Sequence, residues 1–397
     1  MKTFLIAGRN SLLTVVSACL LWFACMPLTA QTAESNLEKA FDVKPGGLLV
    51  MDVEQGSITI DTGESSVLKV FVKRSVRGMK EAEAKGIFDA HEVIFSQDGD
   101  RVEVRAKYTA PQAGQPRKKL RNAFRQMFSD RQHLQVEYLI QAPRQYRFDL
   151  RTSAGEISAG DIEGEIKMRT AGGNIKLKTV QGPVEAVTSA GEIHLASASG
   201  PAKLKTSGGD IRLGRVEAET IAETSAGSIK VQAAKAQLTV KTSGGDIDLG
   251  EVTGQTKADT SAGNIHVKLA HAPLAVHTSG GNIHVEAARD TVAAKTSAGS
   301  VTVCFLSQPH EDCSLITSGG NVVAKVSENL KFDVDAHTSG GNVRTELPIT
   351  MTVVGQHKID VLRGKLNGGG QALVMKTSAG DVRIERLNAT PELEDTQ

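Results

Sequence analysis

The sequence predicts an all-β fold: a β-solenoid (β-helix-like) of about eighteen-residue rungs, with an irregular N-terminal β-rich region carrying one or two short helices. Three observations carry this prediction. A Thr-Ser-Ala/Gly-Gly-polar-Ile/Val segment recurs at a fixed step, the stretches between recurrences alternate apolar and polar residues, and Gly- or Pro-bearing turns interrupt them. Self-similarity at a short fixed period is the signature of units that contact only their neighbours.

The leading threonines are Thr152, Thr170, Thr188, Thr206, Thr224, Thr242, Thr260, Thr278 and Thr296, each 18 residues from the last, with Ala171 replacing the Ser once. The step then stretches to 21 for Thr317, 21 for Thr338 and 39 for Thr377. Between Thr260 and Thr278, Asn264, His266 and Lys268 alternate with Ile265 and Val267. After a turn at Ala270–Pro273, Leu274 and Val276 alternate with Ala275 and His277. Such period-two alternation specifies a strand with one buried face. Two short strands cannot bury that face alone. Stacking at about 4.8 Å per rung does so, and about twelve rungs would make a rod on the order of 55 Å long.

Gly155, Gly173, Gly191, Gly209, Gly227, Gly245, Gly263, Gly281 and Gly299 stand three positions after their Thr. A glycine at so fixed a place suggests a positive-φ corner that a Cβ would strain. The β-branched Thr suits a strand end, and stacked threonines would form a ladder, so the motif reads as structural. The residue two after Thr alternates as Ala190, Gly208, Ala226, Gly244, Ala262, Gly280 and Ala298. The residue two before it is Ala186, Ala222, Ala258 or Ala294 in the first set, and Leu204, Val240 or Val276 in the second. A larger core side chain thus accompanies a smaller turn residue, which reads as volume compensation in a close-packed interior. A true structural period of 36 residues would give the same alternation.

Four ranges organise the chain: 1–30 as a signal peptide, 31–150 as an N-terminal β-rich capping region with a basic insert, 151–387 as the solenoid, and 388–397 as a disordered acidic tail. Lys2 and Arg9 flank an apolar run from Leu12 to Phe23, and Leu28-Thr29-Ala30 offers a cleavage site, so an export signal is expected. That run falls short of the roughly twenty residues a bilayer requires, which weighs against an uncleaved anchor. Cys19 sits in a lipoprotein-like box, but Leu20-Leu21-Trp22-Phe23 continue apolar, which weighs against a lipid anchor. The expected location is the periplasm, the outer surface or the medium.

In 31–150, Leu48–Val53, Gly56–Ile60, Val67–Val72, Val102–Val104 and Leu134–Ile140 read as strands, and Met79–Ala90 and Arg117–Phe128 as short helices. The second helix carries Arg117, Lys118, Lys119, Arg121 and Arg125, with Arg131 beyond. It reads as a solvated cap on the solenoid end or as a contact for anionic lipid.

Of 46 basic residues only Lys2 and Arg9 lie in the signal, leaving 44 against 45 acidic ones. A near-neutral chain argues against a nucleic-acid partner held by phosphate neutralisation. Cys19 and Cys25 leave with the signal, and Cys304 and Cys313 remain. In an oxidising compartment that pair is expected to form a disulfide, the alternative being two small buried thiols.

The Thr-Ser-Ala/Gly-Gly-Asp/Asn-Ile units, and the ending from Gly364-Lys365-Leu366-Asn367-Gly368-Gly369-Gly370 to Lys376-Thr377-Ser378-Ala379-Gly380-Asp381-Val382-Arg383-Ile384, resemble the bacterial "putative adhesin" family of β-strand repeats, a domain of unknown function. The resemblance covers about residues 44–386 and implies a β-helix-like fold and an envelope location, with no catalytic residues. The regularity of the repeat and the basic insert depart from that family.

The best candidates for chemistry are Asp246 and Asp248, two apart on one strand and therefore on one face. Right-handed β-helices include polysaccharide lyases and hydrolases, which need such carboxylates. Glu192, Asp210 and Asp381 recur in the Asp246 column, which makes it look like a solvated rung edge. His266 and His284 form a second column that could hold a divalent ion but lacks a third close ligand, so neither metal nor cofactor is expected. Sugar stacking needs exposed aromatic faces, and residues 151–303 contain no Trp, Tyr or Phe. The expected function is a non-enzymatic, adhesin-like envelope scaffold that contacts another protein or a cell-wall component. A polysaccharide-acting enzyme using Asp246 and Asp248 is the alternative, and an envelope-stress or signalling component the third reading.

Overall fold

The computed structural model describes residues 32–79, 81–108, 134–351 and 359–387. The signal, the basic insert with Arg117–Phe128, and the acidic tail lie outside them.

Each rung contributes one strand to each of two facing sheets. In the first sheet Ile193–Ala198 pairs in parallel with Ile211–Val216, and that with Ile229–Ala234. In the second, Ala202–Lys205 pairs with Thr220–Glu223, and that with Leu238–Lys241. Isoleucine lies on isoleucine from Ile157 to Ile283, as Ile211 on Ile229 and Ile247 on Ile265, and valine continues the column from Val301. The chain is a β-solenoid. The backbone repeat is therefore 18 residues, the separation between stacked Asn264 and Asn282.

Alternation places Ile229, Val231 and Ala234 from one sheet and Leu238 and Val240 from the other inside, each at most 2% exposed. The core does compensate volume, but between different partners from those the sequence suggested. Ala190 and Gly208 are exposed at the corner and share no interior with the residue before Thr. Compensation runs across the rung instead. Ala198, Ala234 and Ala270 share rungs with Leu204, Val240 and Val276, whereas Val216 and Val252 share rungs with Ala222 and Ala258. Thr220 and Thr256 are buried in the smaller-residue rungs, each donating its hydroxyl to a nearby turn carbonyl (Ala218, 3.0 Å; Gly254, 2.9 Å).

The glycine three after Thr is required for a reason other than φ. Among these glycines only Gly155 has a positive φ, 143°. At Gly191, Gly209, Gly227, Gly245, Gly263 and Gly281 a Cβ would fall on the backbone carbonyl of the matching glycine in the preceding rung. The corners stack too closely for any side chain.

The N-terminal region shares both sheets with the repeats. Leu48–Val53 pairs in parallel with Arg147–Thr152, and Ser57–Gly63 with Ile157–Ala159. Beyond them the first sheet turns antiparallel: Leu134–Pro143 to Val67–Arg77, and that to Thr32–Asp42. The second ends on the antiparallel strand His91–Asp98. The helix Glu81–Ala90 buries Ala84, Ile87 and Phe88 over this end. Arg74 fixes the helix C-terminus, donating to the carbonyls of Phe88 (3.0 Å) and His91 (3.2 Å).

At the far end chain order and spatial order part. Gln371–Thr377 lies between Cys313–Ile316 and Phe332–Thr338, and Val382–Arg386 between Val322–Val326 and Val343–Thr345. The last rung of the sequence is thus an interior rung. Val361–Leu366 then runs antiparallel to Phe332–Thr338, and the short strand Ile349–Thr350 pairs antiparallel with it at the end of the second sheet. Aromatic pairs fill both ends, Tyr146–Phe148 at one and Phe305–Phe332 at the other, and the middle of the rod is aliphatic.

Candidate functional site

The recurring segment builds a hydrogen-bonded corner. The Thr242 hydroxyl donates to Gly227 O (2.8 Å) of the preceding rung and accepts from the Gly245 N–H of its own (3.3 Å). Thr206 and Thr278 do the same with Gly191 and Gly209, and with Gly263 and Gly281. These threonines are at most 2% exposed, so each bond removes a buried polar group from an otherwise unpaired state. The next polar residue caps the following rung. Asp246 Oδ1 accepts from Asn264 N (2.7 Å) and Nδ2 (3.3 Å), Asn264 Oδ1 from Asn282 N (2.9 Å), and Asn282 Oδ1 from Ser300 N (2.8 Å). Asp246 is one member of a column of caps.

Asp248 belongs to a different column. Lys230, Asp248, His266 and His284 occupy successive strands of the first sheet in register, all on its outer face. Lys230 Nζ lies 3.0 Å from Asp248 Oδ2, and Asp248 Oδ1 lies 3.2 Å from His266 Nδ1. Burial pushes the Asp248 carboxyl up, but the hydrogen bonds from Lys230 and His266 outweigh it and hold the group below its ordinary range. The His266 and His284 rings stack with centroids 5.7 Å apart and planes 6° from parallel. Burial, and the neighbouring His266, push the His284 imidazole down.

The structure adds a residue that sequence reasoning missed. Glu286 Oε1 lies 2.7 Å from His266 Nε2. One ligand atom each from His266, His284 and Glu286 lie within 4.8 Å of one another, the one such grouping of metal-ligating residues among the described residues. The signal was present: Glu286 follows His284 by two positions on one strand and so shares its face. It stands diagonal to His266 across the sheet.

Cys304 and Cys313 do not pair; both thiols are free and buried. Cys304 lies in a strand of the first sheet, between the inward Val303 and Phe305, and Cys313 in a strand of the second. Cys313 Sγ instead accepts from Val292 N (3.4 Å), and burial pushes its thiol up to about 11.

Shallow grooves run along the starting edge of the second sheet. One is lined by Pro183, Pro201, Lys203 and Glu219, another by Gln255, Lys257, Pro273 and Thr291. Neither includes the histidine column, which lies on the other sheet. No helix among the described residues is long and apolar enough to cross a membrane.

Fold and corner ladder together define a two-sheet parallel β-solenoid whose repeated polar residues hold rung to rung. The chain belongs to the Toastrack DUF4097 family, whose model matches residues 49–308. No curated protein matches the chain. Solved structures similar to it include the following three. A "putative cell adhesion protein" from Clostridium sporogenes is 12% identical, with 89% of this chain and 100% of that one covered and a TM-score of 0.15. A "putative adhesin" from Bacteroides fragilis is 9% identical, with 88% and 97% covered and a TM-score of 0.24. A "putative lipid binding protein" from Parabacteroides distasonis is 10% identical, with 89% and 97% covered and a TM-score of 0.21. Likeness at this level says nothing of what this chain binds.

Proposed function

We propose that the protein is an exported, non-enzymatic scaffold of the cell envelope, adhesin-like in role, that presents a rung-periodic polar surface to another protein or a wall component. The observation that carries this reading is the commitment of Asp246 to capping Asn264 within a column of equivalent caps. A glycan-cleaving centre needs a local pair of carboxylates free to exchange protons with substrate. Asp246 is engaged with the backbone of the next rung, and Asp248 with Lys230 and His266. The absence of aromatic residues from 151–303 further disfavours sugar stacking.

The outer face of the second sheet is the better contact surface. Within the repeats its acidic residues Asp149, Glu185, Glu223 and Asp259 each pair with a neighbouring Arg or Lys. Lys203, Lys241 and Lys295 on that face are exposed and have no ion-pair partner among the described residues. Spread along the rod, they suit an anionic wall polymer or an acidic protein surface.

Co-sedimentation of the purified protein with isolated cell walls and intact cells tests this reading. Wild type is expected to sediment, and a folded Lys203→Glu, Lys241→Glu, Lys295→Glu triple variant to remain in solution. Asp248→Asn should change nothing. Depolymerisation of a glycan by wild type that Asp248→Asn abolishes would replace the scaffold with an enzyme.

A further inference from the structure

We propose that His266, His284 and Glu286 form a binding site for a divalent transition-metal ion of the Zn2+ or Cu2+ type on the outer face of the first sheet. This goes beyond the scaffold reading and stands independently of it.

The three ligand atoms already lie within 4.8 Å of one another. Metal bonds of about 2.0–2.2 Å to imidazole nitrogen and carboxylate oxygen require only a modest further closure. The side chains are partly exposed and free to make it, and the backbone is fixed by the parallel register of His266 on His284.

His266 faces carboxylate oxygens with both ring nitrogens, Asp248 Oδ1 at 3.2 Å from Nδ1 and Glu286 Oε1 at 2.7 Å from Nε2. A neutral imidazole carries one N–H and serves only one of them, so the other nitrogen meets its carboxylate through either a second proton or a bound cation. With a metal ion at Nε2, Nδ1–H donates to Asp248, the Nε2 lone pair turns to the metal, and Glu286 becomes a ligand. Asp248 is then the carboxylate that orients a metal-bound histidine. It is itself steadied by Lys230 at 3.0 Å, so the supporting shell extends through the neighbouring rungs.

His284 supplies the third ligand through a ring nitrogen, from the strand next to that of His266. Two imidazoles and one carboxylate suit Zn2+, Cu2+ or Ni2+, whereas Ca2+ and Mg2+ prefer all-oxygen shells. Three protein ligands leave a fourth position for water or a partner's side chain. The site is also a local exception: Asp246 repeats its role down the rod, but adjacent histidines with a diagonal carboxylate form the one such grouping among the described residues.

Titration calorimetry of tag-free protein with ZnCl2 in a non-chelating buffer at neutral pH tests the proposal. One equivalent is expected to bind. Glu286→Gln and His284→Ala should each weaken it at least tenfold, and Asp248→Asn by about tenfold, the usual effect of losing an outer-shell partner. His271→Ala, whose histidine pairs instead with Glu251, should leave binding unchanged. Far-UV circular dichroism checks that each variant stays folded. The proposal is overturned if wild type binds no zinc at micromolar concentrations, or if Glu286→Gln and His284→Ala both bind like wild type.

Discussion

Thr338 pairs with Thr377 across the end of the second sheet, although it precedes Thr377 in the chain. Thr377 donates to Gly320 O (2.7 Å), and Thr338 donates to Gly380 O (2.6 Å), so the ladder runs Thr317, Thr377, Thr338. The C-terminal rung is held on both sides, and the end of the described chain is not the end of the rod. Amides in Leu373–Lys376 and Val382–Arg386 are therefore expected to exchange as slowly as those in Ile247–Val252. Hydrogen-exchange mass spectrometry reads this directly, and rapid exchange confined to the last two strands would show that the rung is not inserted.

The corner hydroxyl makes a sharper test of the ladder. Thr242→Val keeps the shape but leaves the Gly227 carbonyl and the Gly245 N–H without their partner. The expected loss is about 1–3 kcal/mol in urea unfolding, the cost of buried unpaired backbone groups. Thr242→Ser keeps the hydroxyl and should lose less. Equal stabilities for wild type and Thr242→Val would remove the hydroxyl from the account.

His91 makes the N-terminal cap sensitive to acid. It is 2% exposed, and burial, reinforced by the Arg74 charge, pushes its imidazole down from 6.5 to about 4. Between these values the unfolded chain binds a proton that the folded one does not, so stability is full above about pH 6.5 and falls towards pH 4. The loss is on the order of 3 kcal/mol. Denaturant titrations of wild type and His91→Gln should diverge in slope across that window. Parallel pH profiles would mean that His91 accepts its proton while folded.

Because both thiols are free and buried, a reducing agent should leave the midpoint of unfolding unchanged. A thiol reagent should label Cys304 and Cys313 only after denaturation. A mass two hydrogens lower in the unreduced protein would restore the disulfide.

The rod was legible in the sequence because its period is stamped on the chain: one Thr, one Gly and one Ile per 18 residues can only be satisfied by in-register stacking. Three features were not. The insertion of the last rung depends on which strands pair at long range, and the spacing of 39 before Thr377 records only that something intervenes. The need for Gly245 reads as a turn requirement until the preceding rung is in place, because the obstructing carbonyl of Gly227 is 18 residues away. Glu286 escaped because pairing His266 with His284 treats the column as vertical, whereas a long side chain two positions on also reaches diagonally across a sheet.

The close stacking of corners is the claim on which the rest depends, and two adjacent glycines test it. A Cβ at Gly245 would overlap the Gly227 carbonyl, while at the exposed Gly244 it would meet Ala226 at an ordinary 3.4 Å. Urea unfolding of the two alanine variants should show Gly245→Ala destabilised by about 1–3 kcal/mol or more, as in an overpacked core. Gly244→Ala should lie within about 1 kcal/mol of wild type, helped if anything by the stiffer unfolded chain. If Gly245→Ala is as stable as Gly244→Ala, the rungs do not stack through their corners and the solenoid described here is wrong.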